Sequence, residues 1–82
     1  MSREVRATAT AARALAALPT AVRQRVIAAA ADLADDPLAG KPLKGVLAGL
    51  QSLRVGQYRI VYSVDKRQVL IRAVGHRRDI YR

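Results

Sequence analysis

Residues 53–62 read LRVGQYRIVY, and this stretch decides the fold. Apolar and polar side chains alternate on both sides of the central Gly-Gln pair, which is the pattern of two half-buried strands. A glycine at the first position of a two-residue link can adopt the positive φ that a type II′ hairpin turn requires. We therefore expect antiparallel strands over residues 50–55 and 58–64. A polar turn at residues 65–67 then predicts a third antiparallel strand over residues 68–76.

The N-terminal half of the sequence predicts a strand followed by two helices. Residues 3–8 alternate loosely and fit a short opening strand. Thr10 is a suitable N-cap for a first helix, which Pro19 would end because proline lacks a backbone donor. Thr20 would cap a second helix in the same way. The apolar faces of the two helices are predicted to consist of Ala11, Leu15 and Leu18 in the first and Val22, Val26, Ala29, Ala30 and Leu33 in the second.

The stretch from residue 36 to residue 49 is rich in glycine and proline and predicts a mostly irregular connection. The order of elements therefore predicts an α+β fold: a short N-terminal strand, a helical hairpin, and a three-stranded antiparallel meander with the helices on one face. We expect residues 1–82 to form a single domain, because a chain of 82 residues provides one modest core.

The basic residues are concentrated in the second half of the chain. Residues 41–82 contain ten of the 15 Lys and Arg residues and two of the six acidic ones, a net charge of +8, whereas residues 1–40 carry +1. A surface of this charge attracts nucleic acid or an acidic protein. With no Cys and one His, we expect no disulfide, no metal and no cofactor. Without a signal peptide or an apolar run of ~20 residues, we expect a cytoplasmic protein with no membrane partner.

Alternation along the strands divides their side chains between two faces of the sheet. Tyr58 and Tyr62 belong to an apolar row that we expect to join the core beneath the helices. Arg77 and Tyr81 follow the last strand. If every apolar row faces the helices, the basic side chains that meet on the uncovered face are Arg54, Arg59, Arg72 and His76.

Each of these residues also has a purely structural interpretation. An arginine on an exposed strand face is commonly only solvated, and Lys66 and Arg67 in the polar turn fit that description. A lone histidine such as His76 is more often a polar strand end than a catalytic group. The convergence of four basic groups on one face favours a binding site, and Tyr81 has no apolar row to join.

Three segments of the sequence resemble a known family. They are KPLKG at residues 41–45, LRVGQYRIVY at residues 53–62 and VGHRRDIY at residues 74–81. Together with the order of elements, they resemble the RelE/ParE toxin superfamily, and its RelE branch in particular. The resemblance implies a RelE-like fold and the toxin of a type II toxin–antitoxin pair, neutralised by an acidic, RelB-like antitoxin that covers the basic face. RelE-like members cut mRNA in the ribosomal A site, whereas ParE-like members poison DNA gyrase and lack the catalytic set.

The resemblance also implies roles for individual residues. His76 occupies a position where other members carry a base-capable residue or a lysine. Ser52 stands where some members carry a second lysine, so one positive charge is missing here. The positions that match the family's catalytic set are Arg54, Arg59, Arg77 and Tyr81. Lys44 matches a basic position of the family in the loop before the sheet. The residues that we expect to contact RNA are Lys41, Lys44, Ser52, Arg72 and Arg78.

RNA carries its own nucleophile, the 2′-hydroxyl, so its cleavage needs alignment, a proton acceptor, stabilisation of the phosphorane and a proton for the leaving oxygen. Arg54 and Arg59 would hold the scissile phosphate by bidentate hydrogen bonds, and Arg77 would neutralise the leaving oxygen. Tyr81 is the preferred proton acceptor, because surrounding guanidinium groups favour a phenolate, and His76 is the alternative. A gyrase inhibitor and a catalytically inactive binding module are the alternatives to a ribonuclease.

Overall fold

The computed structural model describes residues 2–80 and shows two helices packed on a five-stranded sheet. The elements, in chain order, are β1 (Glu4–Ala7), α1 (Ala9–Ala16), α2 (Thr20–Asp32), β2 (Lys41–Pro42), a 3₁₀ turn at Gly45–Leu47, β3 (Gln51–Val55), β4 (Tyr58–Val64) and β5 (Gln68–His76). The strand order in the sheet is β1-β5-β4-β3-β2. The predicted α+β class, with an opening strand, a helical hairpin and a meander, is confirmed.

The meander forms as the alternation predicted, and β4 and β5 begin and end at the predicted residues. Gly56 has a φ of 60°, which permits the tight link between β3 and β4. In the turn between β4 and β5, the Asp65 carboxylate accepts hydrogen bonds from the Arg67 and Gln68 amides at 2.8 and 2.7 Å. These two hydrogen bonds hold the pKa of Asp65 below its ordinary value. β1 joins the sheet parallel to β5.

Both helices begin differently from the sequence prediction. The N-cap of α1 is Thr8, whose hydroxyl accepts a hydrogen bond from the Ala11 amide at 3.1 Å, so the assignment of Thr10 as the cap is wrong. Thr20 is the first residue of α2, and the N-cap position before it is held by Pro19. The start of α1 is fixed by the sheet, because the Thr8 amide donates to the Ile71 carbonyl at 2.9 Å and so ends β1.

A two-residue strand, β2, interrupts the connection that the sequence predicted to be irregular. Lys41 pairs with Ser52 and Pro42 pairs with Gln51, both antiparallel, so β2 forms one edge of the sheet. A strand of two residues is too short to show alternation. It forms through pairing with β3 and not through a local preference.

β5 contains one extra residue relative to β4. Val61 pairs with Ala73, whereas the next residue along β4, Tyr62, pairs with Ile71. Arg72 is therefore a β-bulge, and a bulge moves the residues that follow it to the opposite face of the sheet. The face assigned from simple alternation is wrong for the part of β5 beyond Arg72.

The core lies between the sheet and the two helices, so the prediction that the helices cover one face is confirmed. Tyr62 is fully buried, as predicted, and Tyr58 is half-buried. No helix within residues 2–80 combines the length and the apolar character needed to cross a membrane. The core cluster consists of Ala11, Val26, Leu33, Ile60, Tyr62, Val69, Ile71 and Val74.

Candidate functional site

The uncovered face of the sheet carries a pair of arginines. Arg54 in β3 and Arg59 in β4 are register partners, and such partners project from the same face. The neighbouring register pair, Leu53 and Ile60, packs into the core on the opposite face. The prediction that Arg54 and Arg59 share the uncovered face is therefore confirmed, and these two side chains are called the arginine pair below.

A pocket of about 260 Å³ lies beside the arginine pair. Arg59 is half-buried, and its Nη1 donates a 3.4 Å hydrogen bond to the hydroxyl of Ser52, which is only 4% exposed. Arg54 is exposed, and its Nε donates to the Gly56 carbonyl at 3.1 Å. Each guanidinium is thus tethered through one nitrogen and keeps further donors for a ligand. The pocket is lined by Ala39, Gly40, Lys41, Ser52, Leu53, Arg54 and Arg59.

The lining of this pocket is cationic. Among residues 2–80, this lining includes three basic side chains and no carboxylate. Charges of one sign that converge on a concave surface raise the local concentration of the opposite ion. The planar guanidinium fork matches the oxygens of a phosphate in a bidentate manner. The arrangement can therefore bind a phosphate group. The guanidinium groups of Arg54 on β3 and Arg59 on β4 can reach the same phosphate from two strands.

The loop before β2 brings Lys41 to the pocket. The hydroxyl of Tyr62 donates a hydrogen bond to the Pro37 carbonyl at 2.8 Å and accepts one from the Gly40 amide at 3.0 Å. Burial raises the pKa of Tyr62, so the phenol keeps the proton that it donates. The sequence analysis missed this contact. The only signal for it was that a buried tyrosine hydroxyl needs a hydrogen-bond partner.

His76 lies on the face opposite to Arg59. Its register partner is Tyr58, and the two rings meet edge to face with 5.5 Å between their centroids. Its Nδ1 accepts a hydrogen bond from the Arg78 amide at 3.2 Å. The prediction that His76 shares the face of the arginine pair is wrong, because the bulge at Arg72 reverses the alternation before the chain reaches His76.

Three of the residues expected to contact RNA are not part of the pocket lining: Lys44, Arg72 and Arg78. Arg72 is exposed, and its Nε donates to the Ser63 hydroxyl at 3.2 Å. Since Ser63 alternates with Val61 and Arg59 along β4, Arg72 reaches the uncovered face, as predicted. Lys44 is exposed in the connection that follows β2 and is not part of the pocket lining.

The turn after β5 folds back over the uncovered face. A Cβ placed on Gly75, the register partner of Arg59, would lie 3.5 Å from Cδ1 of Ile80. Ile80, the last described residue, therefore lies beside the register partner of Arg59. Tyr81 lies outside the described residues. The exposed candidates within this turn are Arg77 and Arg78.

Comparisons with known proteins agree with this fold. The sequence matches the family model of the ParE toxin of the type II toxin–antitoxin system parDE over residues 5–81. Toxin RelG of Mycobacterium tuberculosis (strain ATCC 25618 / H37Rv) is 46% identical, over 95% of this chain and 94% of its own length.

Two solved structures extend the comparison. A chain of the toxin–antitoxin complex RelBE2 from Mycobacterium tuberculosis superimposes with a TM-score of 0.88 and 42% identity, covering 96% of this chain and 95% of that one. A chain of the archaeal RelE–RelB complex from Pyrococcus horikoshii OT3 gives a TM-score of 0.76 and 26% identity, covering 94% and 97%. The chain therefore belongs to the ParE toxin family of type II toxin–antitoxin systems, within the RelE/ParE superfamily.

Proposed function

We propose that this toxin acts, as a single domain, as an endoribonuclease that cleaves mRNA in the ribosomal A site. The observation that carries the proposal is the arginine pair, Arg54 and Arg59, on the uncovered face beside a cationic pocket. The similarity to toxin RelG and to the RelBE2 complex supports the RelE-like activity.

The proposed reaction uses the 2′-hydroxyl of the RNA as the nucleophile. This oxygen attacks the adjacent phosphorus, the P–O5′ bond breaks, and a 2′,3′-cyclic phosphate and a 5′-hydroxyl result. Arg54 and Arg59 would bind the non-bridging oxygens and stabilise the charge that develops on the phosphorane. The hydrogen bond from Arg59 to the buried Ser52 holds one guanidinium in place before the substrate arrives. Arg77 would stabilise the negative charge on the leaving oxygen, which takes the proton of the 5′-hydroxyl from solvent water.

The proton acceptor for the 2′-hydroxyl is proposed to be Tyr81. His76 is a weaker candidate because its ring packs against Tyr58 on the face opposite to Arg59. A neutral histidine has one unprotonated ring nitrogen, and in His76 the Nδ1 atom already accepts a hydrogen bond from the Arg78 amide. Tyr81 follows Ile80, which lies on the same face as Arg59.

The partner of the free toxin is proposed to be an acidic, RelB-like antitoxin. The net charge of +9 and the exposed basic side chains of the uncovered face favour an acidic partner and make association with it fast and dependent on salt. The pocket of about 260 Å³ is small beside an RNA chain, so the ribosome would supply much of the positioning of the message.

Inhibition of DNA gyrase is the second candidate function. The observation that favours it is the match of residues 5–81 to the ParE model. A gyrase inhibitor binds its target and cleaves no RNA, so the two functions predict different products. A supercoiling assay and a translation assay on the same preparation separate them.

The test is expression of the toxin in a translating extract, followed by primer extension on the message. We expect cleavage within codons by the wild type and a loss of about 10² or more in rate for Arg59→Ala. Arg67→Ala is the matched control, because it removes an exposed arginine from the turn between β4 and β5. Intact message together with inhibited supercoiling would overturn the ribonuclease and support the gyrase inhibitor. Intact message with active gyrase would support an inactive binding module.

A further inference from the structure

We propose that Tyr62 is a positioning residue: its buried hydroxyl holds the loop at residues 37–40 so that Lys41 stands at the pocket beside the arginine pair. Lys41 would then contribute a phosphate contact next to the one made by Arg54 and Arg59. This inference rests on the proposed binding of RNA, and it adds a residue that touches neither the pocket nor the substrate.

Backbone hydrogen bonds to the sheet hold the chain on the side that follows Lys41, where the Leu43 amide donates to the Leu50 carbonyl at 2.9 Å. β2 contains only two residues, and the second, Pro42, has no amide proton to give to the sheet. Lys41 is exposed at the sheet edge, and its register partner is Ser52. The segment just before Lys41 is fixed instead by Tyr62, which donates to the Pro37 carbonyl at 2.8 Å and accepts from the Gly40 amide at 3.0 Å.

The packing at Gly40 shows how closely the loop is held. A Cβ on Gly40 would lie 2.7 Å from the Ser52 carbonyl oxygen and 2.7 Å from the Tyr62 hydroxyl oxygen. Only glycine fits between these two atoms. The residue before Lys41 is therefore clamped between the backbone of β3 and a hydroxyl that is itself buried in the core.

The geometry links the two faces of the sheet. Tyr62 pairs with Gln51 and Ile71 and projects toward the helices, whereas Arg59 projects from the uncovered face. The loop passes around the edge of the sheet at β2. The Tyr62 hydroxyl, on the side covered by the helices, therefore fixes the backbone that carries the Lys41 ammonium group on the uncovered side. Loss of the hydroxyl would leave the arginine pair in place and would release only the third basic side chain of the pocket.

Binding of an uncleavable single-stranded RNA, a 2′-O-methyl oligonucleotide, tests this inference without any need for cleavage. Fluorescence anisotropy would give Kd between about 50 and 200 mM salt for the wild type, Tyr62→Phe, Lys41→Ala and the double variant. Each phosphate contact adds roughly 0.7 to the slope of log Kd against log salt for a single strand. We expect Lys41→Ala and Tyr62→Phe each to reduce the slope by about this amount, and the double variant to reduce it no further.

Matched variants separate positioning from general damage to the fold. Tyr58→Phe removes a phenol hydroxyl at the first residue of β4, on the same face as Tyr62, and should leave the slope of log Kd against log salt unchanged. Gly40→Ala keeps the Tyr62 hydroxyl but displaces the loop, so it should reproduce the slope of Lys41→Ala. It also serves as the second test if Tyr62→Phe does not fold.

The outcomes distinguish this inference from the function on which it rests. An unchanged slope in both Tyr62→Phe and Gly40→Ala, with a reduced slope in Lys41→Ala, would overturn the positioning role alone. Additive losses in the double variant would do the same, because they would show that Tyr62 acts independently of Lys41. A wild-type protein that does not bind the oligonucleotide would overturn this inference alone, because the proposed cleavage takes place on the ribosome and is tested separately by primer extension in the translating extract.

Discussion

Arg54 and Arg59 face each other directly across the ladder between β3 and β4. Two like charges in this relationship destabilise an antiparallel sheet. A neutral side chain at either position would make the ladder more stable, so the arginine pair lowers the stability of the free toxin. A phosphate bound between the two guanidinium groups would relieve the repulsion, and binding and folding stability are therefore coupled at this pair.

Replacement of one arginine should separate stability from activity. We expect Arg54→Thr to raise the free energy of unfolding by about 0.2–1 kcal/mol, because it removes the repulsion and places a good strand former in β3. The same change should lower the rate of RNA cleavage by about 10² or more. Denaturant unfolding and primer extension measure the two effects. A variant that is both less stable and fully active would contradict the role given to Arg54.

Two glycines of the sheet region should respond very differently to a methyl group. Gly40→Ala places its Cβ 2.7 Å from two oxygen atoms and should cost about 1–3 kcal/mol of folding free energy. In Gly75→Ala the nearest contact is an ordinary 3.5 Å to the Ile80 side chain, so we expect a change of less than about 1 kcal/mol. Urea unfolding of both variants gives the comparison. Equal losses would show that the loop at Gly40 can move aside.

The buried phenol of Tyr62 should make the protein sensitive to alkali. Burial raises the pKa of Tyr62 above its ordinary value of 10.0, so the unfolded chain loses this proton at a lower pH than the folded chain does. The free energy of unfolding should therefore be independent of Tyr62 below about pH 10 and should fall as the pH rises above that value. Denaturant unfolding at about pH 8 and pH 11 tests this. The fall should be smaller in Tyr62→Phe, and an identical fall in that variant would assign the alkaline effect to other groups.

The two threonines near the start of α1 should differ in their contribution to stability. The Thr8 hydroxyl accepts a hydrogen bond from the Ala11 amide, so Thr8→Ala should cost about 1 kcal/mol through loss of the helix cap. Thr10 lies within α1 and is exposed, so Thr10→Ala should be neutral or slightly stabilising, because alanine is the better helix former. Thermal unfolding followed by circular dichroism ranks the two variants, and the reverse order would move the cap to Thr10.

The part of the site that could be predicted from the sequence depends on the hairpin between β3 and β4. A two-residue link fixes the register, so Arg54 and Arg59 had to be partners once Gly56 was placed in the turn. Beyond Arg72 the same reasoning fails, because a β-bulge leaves no mark in the alternation and reverses the side on which His76 lies. The face of the sheet on which each residue of β5 lies could therefore be predicted only as far as the bulge at Arg72.

Other features depend on contacts between distant parts of the chain. Lys41 becomes part of a strand because Ser52 lies beside it, and the loop before it is held by Tyr62, 22 residues from Gly40. The start of α1 at Thr8 is set by a hydrogen bond from its amide to Ile71. Local propensity favoured Thr10 as the cap, and the pairing of β1 with β5 overrode it.

The parallel pairing of β1 with β5 also constrains how the toxin is made. The partners of Glu4–Ala7 are residues 68–71, so the first strand has no neighbour until those residues have been synthesised. When only β1 and the two helices of a nascent chain have left the ribosomal tunnel, the sheet cannot form, because the apolar strands β3, β4 and β5 emerge later. The toxin should therefore close its sheet only after residues 68–71 have left the ribosomal tunnel, so that its first strand waits for its last strand before the fold is complete.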